Sequence, residues 1–176
     1  MRTAAFDPTA AGDTATQQWL RYDWRLLREG HVFRYDRADD LAAAGSALGE
    51  LGYLVRRADA GSWSAKSDVH GGLADALSFP EYYGANLDAF IDALRDVADY
   101  SCGADPATTG TVLLIQSYQR VVEMDGQFAH AVLDEFARVA RLGLVFGHPM
   151  LCLVECAVDL DPVGATAVTR ADLPAR

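Results

Sequence analysis

The sequence predicts an α/β fold, a small parallel sheet of three to four strands covered by helices. Two observations carry this reading. Residues 112–115 (VLLI) and 150–158 are nearly unbroken apolar runs, too uniform to leave a wet face, as in parallel strands buried on both sides. Between such runs lie segments whose apolar residues recur at helical spacing, the alternation expected of strands joined by crossover helices.

The elements follow in order. A helix is expected from Thr16, with Leu20, Trp24 and Leu27 at i, i+4, i+7 and Trp19, Tyr22 and Leu26 on a neighbouring ridge. Gly30 ends it. Residues 31–35 (HVFRY) read as a short strand at an edge. Leu41, Ala44, Leu48 and Leu51 return to helical spacing, and Gly52 stops that helix. Residues 53–55 (YLV) are the next strand, followed by a turn-rich stretch over 59–64. Val69, Leu73 and Leu77 mark another helix, with Ser67 as its N-cap. Residues 79–84 (FPEYYG) break regular helix, because Pro80 biases Phe79 out of the α region and Gly84 signals a turn. Residues 86–98 form the most strongly amphipathic helix. After a Gly/Pro/Thr-rich loop and the first apolar run, Asp125 caps a helix in which Phe128, Val132, Phe136 and Val139 share one face, and Gly143 closes it. Residues 1–18 are expected as a mobile tail, 19–160 as a single domain and 161–176 as a polar C-terminal tail.

Composition narrows the function classes. The 176 residues are 51% apolar and 23% charged, ordinary for a globular protein, but 25 acids against 15 bases leave a net charge of −10. That excess repels phosphate backbones and anionic membranes, so direct nucleic-acid binding is disfavoured; it suits a cationic partner, and equally suits solubility. No apolar stretch is long enough for a membrane span. Cys102, Cys152 and Cys156 are odd in number and lack CxxC spacing, which points to the reducing cytoplasm.

On the helix over 86–98, Leu87, Phe90, Ile91, Leu94 and Val97 gather on one broad side. Asp88, Asp92, Asp96 and Asp99 gather on another, with Arg95 the one cation near them. Like charges at i, i+4 cost a few tenths of a kcal/mol each. The helix dipole favours Asp88 in the first turn and accounts for that acid alone. Two readings remain at this level, a solvated face on an acidic protein or an anionic patch preorganised for a basic cleft.

The run Phe79-Pro80-Glu81-Tyr82-Tyr83-Gly84-Ala85-Asn86-Leu87-Asp88-Ala89-Phe90 resembles the central motif of the barstar family, intracellular inhibitors of barnase-like ribonucleases. Proline, aromatic pair, glycine and Asn-Leu-Asp stand in the family's register, and the order of strands and helices over roughly 52–159 follows it as well. The resemblance implies a barstar-like core over 52–160, with an added N-terminal helix and βα unit over 19–51. It also implies inhibition by occlusion, without turnover or cofactor, of a barnase-like ribonuclease or related toxin domain. Asp92 then becomes the main anchor, standing where a substrate phosphate sits, and Asp88 the second anionic contact. Tyr82 lies against the nuclease, Gly84 lets the loop turn close to it, and Pro80, Tyr83, Asn86 and Leu87 hold the loop on the helix. Ile91 stands where the type member has a tryptophan. Arg138 stands where it has a glutamate, with Glu135 a turn earlier as a substitute contact. These departures leave a second reading open, a regulatory interaction domain with a barstar-like surface and a non-nuclease partner.

Other chemistry finds less support. Asp88 and Asp92 as a general acid–base pair would need a pocket. His31, His70, His130 and His148 lack metal-binding spacing, so no metal is expected, and no phosphate-cradling loop or nucleophile elbow is present. Trp19 and Trp24 are expected in the core, as are Cys152 and Cys156, and Glu155 near a strand's solvated end. Trp63 could belong to a binding platform.

Overall fold

The computed structural model describes residues 20–164, 166, 168 and 170–174. In chain order it runs α1 (Tyr22–Glu29), β1 (Val32–Tyr35), α2 (Ala38–Glu50), β2 (Leu54–Asp59), a 3-10 turn (Ala60–Ser62), α3 (Lys66–Leu77), α4 (Leu87–Ala98), β3 (Thr111–Gln116), α5 (Gln119–Met124), α6 (Gly126–Val145) and β4 (Met150–Glu155). The strands form one parallel sheet in the order β1-β4-β3-β2. The fold class is the one expected, and β1 is an edge strand as read from the sequence.

Side chains alternate across a strand, so the central strands feed two cores at once. Val112 and Leu114 with Leu151 and Leu153 point to one layer, where they meet Tyr22, Leu26, Leu41 and Leu48 of α1 and α2. Leu113 and Ile115 with Cys152 and Val154 point to the other, where they meet α3, α4 and α6. The register pairs Leu113 with Cys152 and Leu114 with Leu153, so each layer is continuous across the two strands.

Several elements differ from the sequence reading. In α1 the residues turned inward are Tyr22, Asp23 and Leu26, while Leu20 is 72% exposed. Trp19 lies outside the described residues, as does the tail expected over 1–18. A buried acid explains the shift of the inward face. Asp23 is fully buried, accepts from Arg21 Nε and Nη2 at 3.0 and 2.8 Å, and accepts from the Tyr53 hydroxyl at 3.2 Å. Ser67 is not the cap of α3; the helix starts after Ala65, and Asp68 in its first turn reaches back, its carboxylate accepting from Ser64 N at 2.8 Å and Ala65 N at 3.1 Å. β2 continues to Asp59, because an edge strand tolerates Arg56 and Arg57. Trp63 is buried rather than offered as a platform, and a Cβ at Gly72 would stand 2.2 Å from its ring. Beyond β4 the expected polar tail is tied down in part. Val163 and Val168 are buried, and Ala171 N donates to Arg34 O at 3.2 Å along the outer edge of β1.

Helix α3 carries a second buried polar contact. His70, 4% exposed, stands with Nδ1 2.5 Å from the Tyr83 hydroxyl and packs edge-on against Phe128 of α6. Lys66 lies over the other reach of that ring, 5.0 Å from its centre, and pairs with Asp125 at 2.7 Å. Burial lowers the His70 pKa and pushes Tyr83 up to about 12. A neutral ring can accept the tyrosyl proton; an imidazolium, with both nitrogens donating, cannot.

Two outcomes are expected. Asp23→Ala takes the buried acceptor from the Tyr53 hydroxyl and removes the Arg21 ion pair, and should cost about 3 kcal/mol in urea unfolding, against about 1 kcal/mol for Tyr53→Phe. Stability should also fall on acidification. Burial lowers the folded-state pKa of both His31 and His70, so the unfolded chain takes up protons first. Their contribution is complete above the ordinary histidine value of about 6.5 and is lost as pH falls through the lowered values. Melting temperatures measured from about pH 8 down to about pH 5 check this. His70→Gln, which keeps an acceptor for Tyr83, should flatten the profile.

Candidate partner-binding site

The segment between α3 and α4 is shaped by three local devices. Ser78 ends α3 in the left-handed conformation (φ 56°), and Phe79 N reaches back to Ala74 O at 2.9 Å, closing the helix as in a Schellman motif. Pro80 O accepts from Tyr83 N at 2.9 Å, which folds residues 80–83 into a turn. Phe79 then stacks obliquely on Tyr83, with ring centres 5.0 Å apart, and on Phe90 of α4 at 6.1 Å. The two tyrosines of the motif are thereby divided. Tyr83 turns inward to His70, and Tyr82 is left 81% exposed.

The second bend falls on Ala85, at φ 49°, and not on Gly84 as the sequence reading had it. Gly84 serves by its small size, since a Cβ there would meet Asn86 Nδ2 at 3.3 Å and Ala89 Cβ at 3.4 Å. Asn86 in extended conformation caps α4. Its side-chain oxygen accepts from Ala89 N at 2.9 Å, and its amide nitrogen donates to Gly84 O at 3.2 Å. One residue thus starts the helix and fastens the loop to it.

On α4, Phe90, Ala93, Leu94, Val97 and Ala98 are buried, with Leu87 and Ile91 partly covered beside them. Asp88, Asp92 and Asp99 are exposed, and Asp96 is half-buried. Asp92 keeps 75% of its side-chain surface and pairs with Arg95, Oδ1 to Nη1 at 2.9 Å. On α6, which packs beside α4, Glu135 accepts from Arg138 Nε at 2.6 Å. Arg138 is therefore held by the acid a turn before it. Both pairs sit at i, i+3 and could have been found from spacing. The role of His70 could not, because its partner Tyr83 becomes a neighbour only when the loop folds back over α3.

Both carboxylates of the suspected acid–base pair stand in the open. A hollow of about 560 Å3 elsewhere, between α5, α6 and the chain after β4, is lined by Asp125, His130, Leu133 and Leu160 and by none of the site residues. Among the described residues no group of His, Cys, Asp and Glu is placed to hold a metal ion, and no helix is long and apolar enough to cross a membrane. Cys152 is buried, and burial raises its thiol pKa far beyond the ordinary value, while Cys156 is buried with its pKa raised in the same sense. Glu155, at the end of β4, accepts from Ser117 N at 2.6 Å.

The site is thus an exposed anionic face on α4, with the exposed ring of Tyr82 in the loop before it. A comparison with curated proteins finds no match. One solved structure, described as "Structure of Drosophila ORC bound to DNA", resembles the chain at 18% identity with a TM-score of 0.43. The likeness covers 81% of this chain and 32% of that one, so this chain spans less than two thirds of its length. A family model, Barstar (barnase inhibitor), matches residues 53–155. That match takes in more than half of the chain, from the start of β2 to the end of β4 and including loop and ridge. The chain belongs to the barstar family.

Proposed function

We propose that this protein is a stoichiometric inhibitor of a barnase-type ribonuclease or a related toxin domain, acting in the cytoplasm to protect the cell that makes it. The observation that carries the reading is the pairing of an exposed Tyr82 with the exposed Asp88 and Asp92, all held by a capped helix and a turn with internal anchors. A ribonuclease must gather cations to hold a phosphate chain, and a fixed row of carboxylates about one helical turn apart imitates that chain.

In this reading Asp92 enters the phosphate position and Asp88 meets a second cation. Tyr82 covers the rim, Gly84 permits close approach, Ile91 adds an apolar contact and Glu135, paired with Arg138, reaches the partner from α6. No bond in the protein changes and no cofactor takes part. Substrate is excluded because its site is filled. Tyr83, Asn86, Pro80 and Leu87 act earlier, by fixing the ridge before the partner arrives. Each group ordered in advance removes an entropic cost of association.

An RNA-cleavage assay tests the reading. A barnase-type ribonuclease titrated with the protein should lose activity at a one-to-one ratio, and added salt should weaken the inhibition. Asp92→Ala should raise the inhibition constant by about a hundredfold or more, and Asp88→Ala by less. Barnase with barstar is itself the reference case for such charge pairs, so this magnitude is carried over from it. Inhibition untouched by either substitution, with both variants folded, would sink the proposal.

A further inference from the structure

We infer that Arg95 and Arg138 set the specificity of the binding face, by disfavouring a uniformly cationic partner and selecting one that presents carboxylates of its own opposite them. The inference rests on the inhibitor reading and concerns which partner that face accepts.

Two of the acids assigned to the partner are already engaged by this chain. Asp92 is held by Arg95 Nη1 at 2.9 Å, and Glu135 by Arg138 Nε at 2.6 Å. Asp88 and Asp96 have no ion pair among the described residues, so self-neutralisation is confined to two positions on the face. Arg95 is the only cation between Phe79 and Tyr100 in the sequence, which makes its place beside Asp92 hard to read as general charge balance.

The two pairs lie on adjoining helices. On α6 the flank carrying Asp134 and Arg141 is taken by the C-terminal segment and the neighbourhood of β1, since Gly164 N donates to Asp134 at 2.7 Å and Arg141 lines a hollow with Val32 and Val163. Glu135 lies about 100° further round, toward the flank on which Phe128, Val132 and Val139 are buried. A partner covering the exposed side of α4 meets Arg95, and one that also extends over Glu135 on α6 meets Arg138.

Exposed pairs of this kind are weakly held, and the arginine side chains keep 49% and 45% of their surface. An incoming cation can draw the carboxylate away. It cannot remove the arginine, which stays one turn along the same helix. In a closing interface the guanidinium then faces the partner's cation through a medium of falling dielectric, and like charges placed so oppose binding. A carboxylate on the partner turns the same guanidinium into an attractive, geometrically demanding contact. The arginines thus act against one class of partner and for another.

The test compares the natural protein with an Arg95→Ala, Arg138→Ala double variant and with Asp92→Ala, using a barnase-type ribonuclease as the probe over a salt series. The double variant should inhibit about tenfold more tightly than the natural protein, with a steeper dependence on salt and a similar melting temperature. Equal or weaker inhibition by the double variant, while Asp92→Ala still impairs the natural protein, overturns the inference and leaves the inhibitor reading standing. Absence of inhibition by both the natural protein and the double variant overturns the ribonuclease reading, and the inference falls with it.

Discussion

Strands β3 and β4 are buried on both faces, and the rest of the molecule answers to that constraint. With Val112, Leu114, Leu151 and Leu153 on one side and Leu113, Ile115, Cys152 and Val154 on the other, neither face can be left to water. The family core from Tyr53 to Glu155 supplies α3, α4 and α6 for one face. Helices α1 and α2 cover the other, and β1 lies along β4 as a further strand. The N-terminal addition is therefore part of the hydrophobic solution. Asp23 fastens it to the core through Tyr53, the first residue of the family match.

The candidate face on α4 is tied to this arrangement through few links. Helix α6 lies on the sheet, and α4 is packed beside it. The loop before α4 is held by Tyr83 on His70, by Phe79 between Tyr83 and Phe90, and by Asn86 at the helix start. His70 in turn touches Phe128, the third residue of α6 and the one whose N–H donates to Asp125. Loop, α3 and α6 thus share one small aromatic junction. Burial lowers the pKa of this histidine, which favours the neutral ring that can accept from Tyr83 and ties the geometry of the loop to a titratable group.

What was legible in the sequence was whatever depends on periodicity or fixed local chemistry. The apolar runs gave β3 and β4, and helical spacing gave α2, α4 and α6, while the cap that Asn86 makes at the start of α4 was not read from the sequence. What escaped depends on residues distant in sequence. The inward face of α1 was misassigned because a buried aspartate counts as polar in any periodic pattern, while Leu20 counts as apolar and is exposed. Arg56 and Arg57 hid the second half of β2, though an edge strand leaves room for them at its margins. α5 is a six-residue helix with no side-chain cap, too short for a periodic signal. Val163 and Val168 are isolated apolar residues in a polar stretch, and only the groove beside β1 and α6 gives them somewhere to go.

Helix α4 holds two independent patterns on one cylinder. The apolar set through Phe90, Leu94 and Val97 answers to the core, and changes there are felt as cavities or strain. The acidic set through Asp88, Asp92 and Asp96 lies off the core, and folding gains little from it, since like charges a turn apart repel. Arg95 lies on the second pattern, where a change costs the fold little. The same holds on α6, where Phe136 is buried, Glu135 is half-buried and Arg138 is exposed. A family built this way can keep its core and its loop anchors while the charges facing outward are rewritten for another partner. Motif residues that fix the loop and charged residues that face outward need not vary together, and in this chain Tyr83 and Asn86 hold the loop while Asp88, Asp92, Arg95 and Arg138 take no part in that anchoring.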